Sequence, residues 1–155
     1  MPTTHSLTED TIAGSTEAGP REATAPPALA RVELGAELHC KTAVVDGVRL
    51  AFDDDGDGEP LLCLHAIGHG ASDFAALRHR LRERYRVVAL DFPGHGRSGP
   101  DRQAPSARRY ARLVAELLDV LGWPRVVLLG NSIGGATAIE LAAAMPERVR
   151  ALVLE

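Results

Sequence analysis

The order of apolar runs predicts an α/β fold: a mostly parallel sheet opened by one antiparallel hairpin. Three observations carry this expectation. Short, continuously apolar runs recur at residues 60–65, 85–90, 125–129 and 149–154, as in strands covered on both faces. The segments between them show helical spacing. Upstream of both, Asp46-Gly47 divides two strand-like runs, and that dipeptide is a strong hairpin signal.

Taken in order, residues 1–36 are rich in Thr, Ala, Pro, Glu and Gly, with no period and no aromatic residue. Such a segment buries too little apolar surface to offset its ordering entropy, so a disordered leader is expected, with a short helix near 28–38. Residues 37–155 form the second unit, an incomplete α/β domain. Within it, 37–45 and 48–52 read as the two hairpin strands, and 53–58 as a polar turn. Residues 60–65 read as a buried strand. Residues 72–84 read as a helix capped by Ser72, with Phe74, Leu77 and Leu81 on its apolar face. A strand at 85–90 precedes a helix at 106–121, spaced through Tyr110, Leu113, Val114, Leu117 and Leu118. A strand at 125–129, a helix at 133–145 ended by Pro146, and a strand at 149–154 complete the order. Alternating strands and helices imply right-handed crossovers.

Composition narrows the function classes. The chain has 155 residues, 45% of them apolar, and a net charge of −4 with acids and bases interspersed. Nothing in that pattern points to nucleic acid. Lys41 is the only lysine, so the basic residues are almost all arginine. Two cysteines, Cys40 and Cys63, do not make a disulfide framework, and Cys63 sits in an apolar run as a small core hydrophobe. No secretory signal and no membrane-length apolar stretch is visible, so a cytoplasmic location is the default. Neither a cofactor nor a metal is expected.

The strongest chemical signal is Gly130-Asn131-Ser132-Ile133-Gly134-Gly135. It fits G-x-S-x-G, follows an apolar strand and opens a helix. The turn is so tight that the serine is strained, and side chains at positions 130 and 134 would collide across it. Ser132 is the candidate nucleophile.

On these residues the chain resembles the α/β-hydrolase family, over residues 41–155. Three further stretches match in order. Leu61-Leu62-Cys63-Leu64-His65-Ala66-Ile67-Gly68 looks like the family's oxyanion segment, with His-Ala where His-Gly is usual. Asp91-Phe92-Pro93-Gly94-His95-Gly96-Arg97-Ser98 resembles the loop after the family's fourth strand. Met145 to Leu154 resembles the entry to its sixth strand. The fold class implied is the N-terminal part of the α/β-hydrolase fold, truncated after the sixth strand.

The resemblance implies roles. The backbone N–H groups of Ile133 and Ile67 are the expected oxyanion donors, worth about 3–4 kcal/mol each in such sites. His65, Asp91 and His95 are expected to brace loops, and Gly130 and Gly134 to permit the elbow. The family's acid and histidine follow the sixth strand, so both are absent from this chain, which is expected to be inactive alone. The expected substrate is a small ester, lactone or similar acyl compound, cleaved through an acyl-enzyme. The elbow also looks like that of hydrolases cleaving carbon–carbon bonds in aromatic ring-fission products. A non-catalytic binding protein on the same scaffold is the remaining class. Ending at residue 155 leaves an open sheet edge through which copies could associate.

Two decoys are set aside. Gly94-His95-Gly96-Arg97-Ser98-Gly99 formally fits a dinucleotide fingerprint, but Pro100 and Pro105 follow it, where a phosphate-binding helix would have to start. Asp53-Asp54-Asp55-Gly56-Asp57-Gly58 resembles the start of a calcium loop, yet the twelfth position is Leu64, where a bidentate Glu is required.

Overall fold

A computed structural model of the chain describes residues 40–155 and the short strand Glu33–Leu34. The leader apart from that strand, the remainder of the helix expected near 28–38, and the first three residues of the strand expected from Glu37 all lie outside the described residues. Glu33–Leu34 itself is β1, paired antiparallel with Cys40–Val45 (β2), so extended backbone stands where part of a helix was expected. The remaining strands are Val48–Asp55 (β3), Glu59–Leu64 (β4), Tyr85–Leu90 (β5), Val126–Gly130 (β6) and Val149–Leu154 (β7). The helices are Ala75–Leu81 (α1), Ala107–Val120 (α2) and Ile133–Ala144 (α3).

All seven strands form one sheet in the order β1-β2-β3-β5-β4-β6-β7. Strands β4, β5, β6 and β7 pair in parallel, and β3 meets β5 antiparallel. Because β2 is antiparallel to β3, it too runs with the parallel set. The β2–β3 turn forms as its residues require. Asp46 (φ 43°) and Gly47 (φ 74°) are both left-handed, the geometry of a two-residue type I′ hairpin.

Continuous apolar runs form central strands here because each face of the sheet has a cover. In β4, Leu62 and Leu64 face the larger core beneath α2 and α3, while Leu61 and Cys63 face the smaller one beneath α1. In β5, Val88 and Leu90 alternate with Val87 and Ala89 in the same way. Burial drives the Cys63 thiol pKa up to about 12, so it is an inert hydrophobe, as expected. Strand β7 breaks the pattern. Only Val149 is buried, and Val153 and Leu154 are each 50% exposed.

Helix α2 begins as its sequence directs: the Ser106 hydroxyl accepts a hydrogen bond from Arg109 N–H at 3.1 Å. Buried Arg109 also pairs with Asp46 and Asp101, tying α2 to the hairpin turn. Ser72, in contrast, is not a cap. Residues Ala71–Phe74 wind as a 3₁₀ turn with Gly70 at the capping position, and α1 proper starts at Ala75. The tighter winding brings the Ala71 N–H to the Asp91 carboxylate, a partner 20 residues away.

The run expected as a solvated turn is corrected as well. Strand β3 continues to Asp55, and Asp53 and Asp54 are each only 7% exposed. Arg78 and Arg97 hold Asp53, and Lys41 and Arg86 hold Asp54. Burial raises both carboxyl pKa values, but the guanidinium and ammonium partners outweigh it, and both groups lie below their usual 3.8. These are structural ion pairs, with no cluster of metal-ligand type among the described residues.

Candidate active site

The four parallel strands end at one edge of the sheet. Leu64 stands beside both Leu90 and Gly130, and Gly130 beside Leu154, so the loops after β4, β5 and β6 emerge together. From β4 the chain crosses to β5 on one side, and from β6 to β7 on the other. The gap between the ends of β4 and β6 is therefore the switch point at which open α/β sheets bind ligands.

The elbow sits at that gap. Asn131 N–H donates to the Leu64 carbonyl at 3.0 Å, and Gly134 N–H to the Asn131 carbonyl at 2.8 Å. Ser132 between them has φ 52° and ψ −114°, a strained conformation for a residue with a side chain. Its neighbours show why glycine is needed. A Cβ on Gly130 would lie 2.5 Å from the Gly134 carbonyl oxygen, and one on Gly134 only 2.1 Å from that of Leu64. Ile133 is the first residue of α3, so its N–H has no partner in a preceding helical turn. Ile67 lies in the β4–α1 loop and is 69% exposed.

His65, 1% exposed, joins two loops. Its Nε2 accepts from Phe92 N–H at 2.9 Å, which leaves Nδ1 to carry the proton and donate to the Ala66 carbonyl at 2.6 Å. Burial foremost, then the neighbouring His95, pushes its pKa below the ordinary 6.5, against the raising effects of the Ala66 carbonyl, Asp91 and Asp73. The unfolded chain thus takes up a proton at a pH where the folded chain does not. The stability His65 contributes is complete above about pH 6.5 and falls as pH drops through the lower folded value. Thermal unfolding midpoints should therefore decline from pH 7 to pH 5, and His65→Gln should flatten that slope. Equal slopes in the two proteins would remove His65 as the cause.

Asp91, 2% exposed, organises the same edge. Its Oδ1 accepts from Ala71 N–H at 2.7 Å, and its Oδ2 from Arg97 N–H at 3.1 Å and Arg97 Nε at 3.0 Å. Arg97 reaches on to Asp53 at 2.8 Å. His95 sets its Nδ1 against the Pro93 carbonyl at 3.0 Å, with its ring 5.2 Å from that of His65. The 91–106 loop runs without a helix until Ala107, so the dinucleotide decoy lacks the element that would hold a pyrophosphate.

A cleft of about 390 Å³ opens beside the elbow, lined by His65, Ala66, Leu129 and Asn131. It is also lined by His69 and Asp73, whose Nδ1 and Oδ2 form a 2.6 Å hydrogen bond and which the motifs do not single out. Their i, i+4 spacing is the available signal, but Gly70 and the 3₁₀ turn hide it outside any regular helix. Arg78 and Arg97 escape the sequence too, because their partner Asp53 lies in a run of acids that reads as solvated.

Comparison with known proteins agrees with this geometry. Residues 59–155, more than half of the chain, match the family model described as alpha/beta hydrolase fold. A Burkholderia vietnamiensis protein, named 2-hydroxy-6-oxononadienedioate/2-hydroxy-6-oxononatrienedioate hydrolase, is 40% identical over 121 residues, covering 72% of this chain and 41% of the relative. Among solved structures, the epoxide hydrolase CorEH superposes with a TM-score of 0.72 at 28% identity, covering 74% of this chain and 41% of that one. Est816, titled an N-acyl homoserine lactone degrading enzyme, gives 0.70 at 31% identity, covering 73% and 44%. The chain spans between 30% and 42% of the length of the curated relatives it matches. The family model, these superpositions and a strand–turn–helix elbow at the switch point lead to one conclusion: the chain belongs to the alpha/beta hydrolase fold family.

Proposed function

We propose that this chain carries the nucleophile and oxyanion half of a serine hydrolase acting on small esters or lactones. The observation that carries the reading is Ser132 at φ 52° on the turn into α3, a left-handed conformation that a residue with a side chain rarely adopts. Its oxygen attacks the carbonyl carbon, and the hydroxyl proton passes to a histidine. The resulting alkoxide is held by the N–H groups of Ile133 and Ile67. Collapse expels the alcohol, which takes the proton, and water then cleaves the acyl-serine by the same route.

The histidine that takes the proton is not His65, whose two ring nitrogens are both engaged. His95, with Nδ1 against Pro93, braces its own loop. The acid and base are assigned to the part of the family's domain that lies beyond this segment. The test is Ser132→Ala in a protein of full family length, assayed on p-nitrophenyl esters. A variant that keeps its activity would refute the assignment.

The 40% identical Burkholderia relative favours a second reading, hydrolysis of a carbon–carbon bond in a ring-fission product. Turnover of a vinylogous 1,5-diketone, with no turnover of esters, would select it.

The β7 edge supports self-association. Leu152, Val153 and Leu154 on it are exposed and apolar, and no strand pairs with its far side among the described residues. The 155-residue chain should elute as oligomers in size exclusion, and Val153→Lys should shift it toward monomer. A monomer peak for the parent chain would count against edge pairing.

A further inference from the structure

The loop between β4 and α1 is anchored to the end of β5 at two points. At its start, His65 Nε2 accepts from Phe92 N–H at 2.9 Å, and at its end Ala71 N–H donates to Asp91 Oδ1 at 2.7 Å. Between these anchors, residues 66–70 close on themselves. His69 N–H donates to the Ala66 carbonyl at 3.2 Å, and Gly68 is left-handed at φ 80°. A turn bonded in that way uses neither the amide of Ile67 nor that of Gly68. Where the Ile67 N–H sits therefore depends on how firmly the two anchors hold.

The Asp91 anchor is itself held. A Cβ on Gly70 would lie 3.0 Å from Asp91 Oδ1, and one on Gly96 2.4 Å from it, so the carboxylate is wedged between the backbones of both loops. The Arg97 guanidinium spans two carboxylates, with Nε at 3.0 Å from Asp91 Oδ2 and Nη1 at 2.8 Å from Asp53 Oδ1. Asp53 pairs in turn with Arg78 of α1, the helix into which the loop runs. A planar guanidinium that bridges two carboxylates fixes their orientation as well as their charge.

We propose that Arg97 is a positioning residue for the oxyanion site, acting through Asp91 to fix the loop that carries the Ile67 N–H. The proposal rests on Ile67 being a donor in a serine hydrolase, as read above. A displaced donor loses its hold on the alkoxide more than on the ground-state carbonyl, so the loss falls on kcat and spares KM.

In a protein of full family length, Arg97→Gln should lower kcat for p-nitrophenyl esters about ten-fold and leave KM within about two-fold. In the 155-residue chain the same change should speed deuterium uptake several-fold in a peptide over residues 66–74, where the Ala71 amide reports the anchor. Arg97→Lys, which keeps the charge and loses the fork, should show a smaller change in both readouts. Arg86→Gln is the control for stability alone. It strips Asp54 of two hydrogen bonds on the opposite face of β3, and should leave kcat and the 66–74 uptake unchanged. Parent-like kcat or uptake in either Arg97 variant, or an equal fall of kcat in Arg86→Gln, would overturn the proposal. Full esterase activity in the Ser132→Ala protein would instead refute the nucleophile, an outcome the uptake measurement does not share.

Discussion

Ser132→Ala should lower ester hydrolysis by about 10⁴-fold or more in a protein of full family length, and should change nothing in the 155-residue chain. The first effect follows from covalent catalysis. Without its oxygen no acyl-enzyme forms, and only binding and the oxyanion donors remain. The second follows from the proton. A serine hydroxyl is a weak nucleophile until a base takes its proton, and the base must reach it. His65 spends Nε2 on Phe92 and Nδ1 on Ala66, and its depressed pKa makes it a poor acceptor besides. His69 faces Asp73, and His95 faces Pro93. The measurement is initial p-nitrophenol release against enzyme concentration for parent and variant in both lengths. A Ser132-dependent slope in the short chain would mean that one of its own histidines reaches the hydroxyl, with His69 the first to replace.

The second large effect is on stability. Gly134→Ala should destabilise the domain by at least about 3 kcal/mol, far beyond the roughly 1 kcal/mol that an ordinary glycine-to-alanine strain costs. A methyl at this position would sit 2.1 Å from the Leu64 carbonyl oxygen and 2.6 Å from its carbon. Both atoms belong to the backbone of a central strand, so no side chain can swing aside. Helix α3 would have to back away from β4, opening the core that contains Leu64, Ala138 and Leu141. Gly122→Ala is the control. Its φ of 69° is unfavourable to alanine, but nothing lies within 4 Å of the added methyl. Urea unfolding of the two variants separates collision from conformational strain. Losses of the same size in both would show that the helix yields and that the close approach is not what demands glycine.

Much of this protein is legible along the chain because the relevant physics is local. A type I′ turn needs two left-handed residues, and Asp46-Gly47 announces them within two positions. A helix start at Ser106 needs one hydroxyl three residues before a free N–H. The elbow is local as well: strand, turn, serine and flanking glycines follow one another without interruption. Two-sided burial wrote itself into β4 and β5 as unbroken apolar runs, from which the sheet and its helical covers followed.

What the chain concealed was set by groups distant in sequence. Asp53 and Asp54 sit in a run of acids that reads as a solvated turn. The fold brings Arg78, Arg97, Lys41 and Arg86 against them, and only that convergence makes their burial tolerable. Ser72 carries the chemistry of a cap, yet Asp91 claims the neighbouring N–H and tightens the turn into a 3₁₀ form. His69 and Asp73 line one cleft with His65, Leu129 and Asn131, residues that only the pairing of β4 with β6 brings together. By itself, then, the sequence determined most of the elements, the strand–turn–helix at Ser132 and the family, because each rests on neighbouring residues and a short period. Tertiary structure alone decided which charges are buried, which histidines are occupied and what lines the cleft, because those depend on side chains that meet across the sheet.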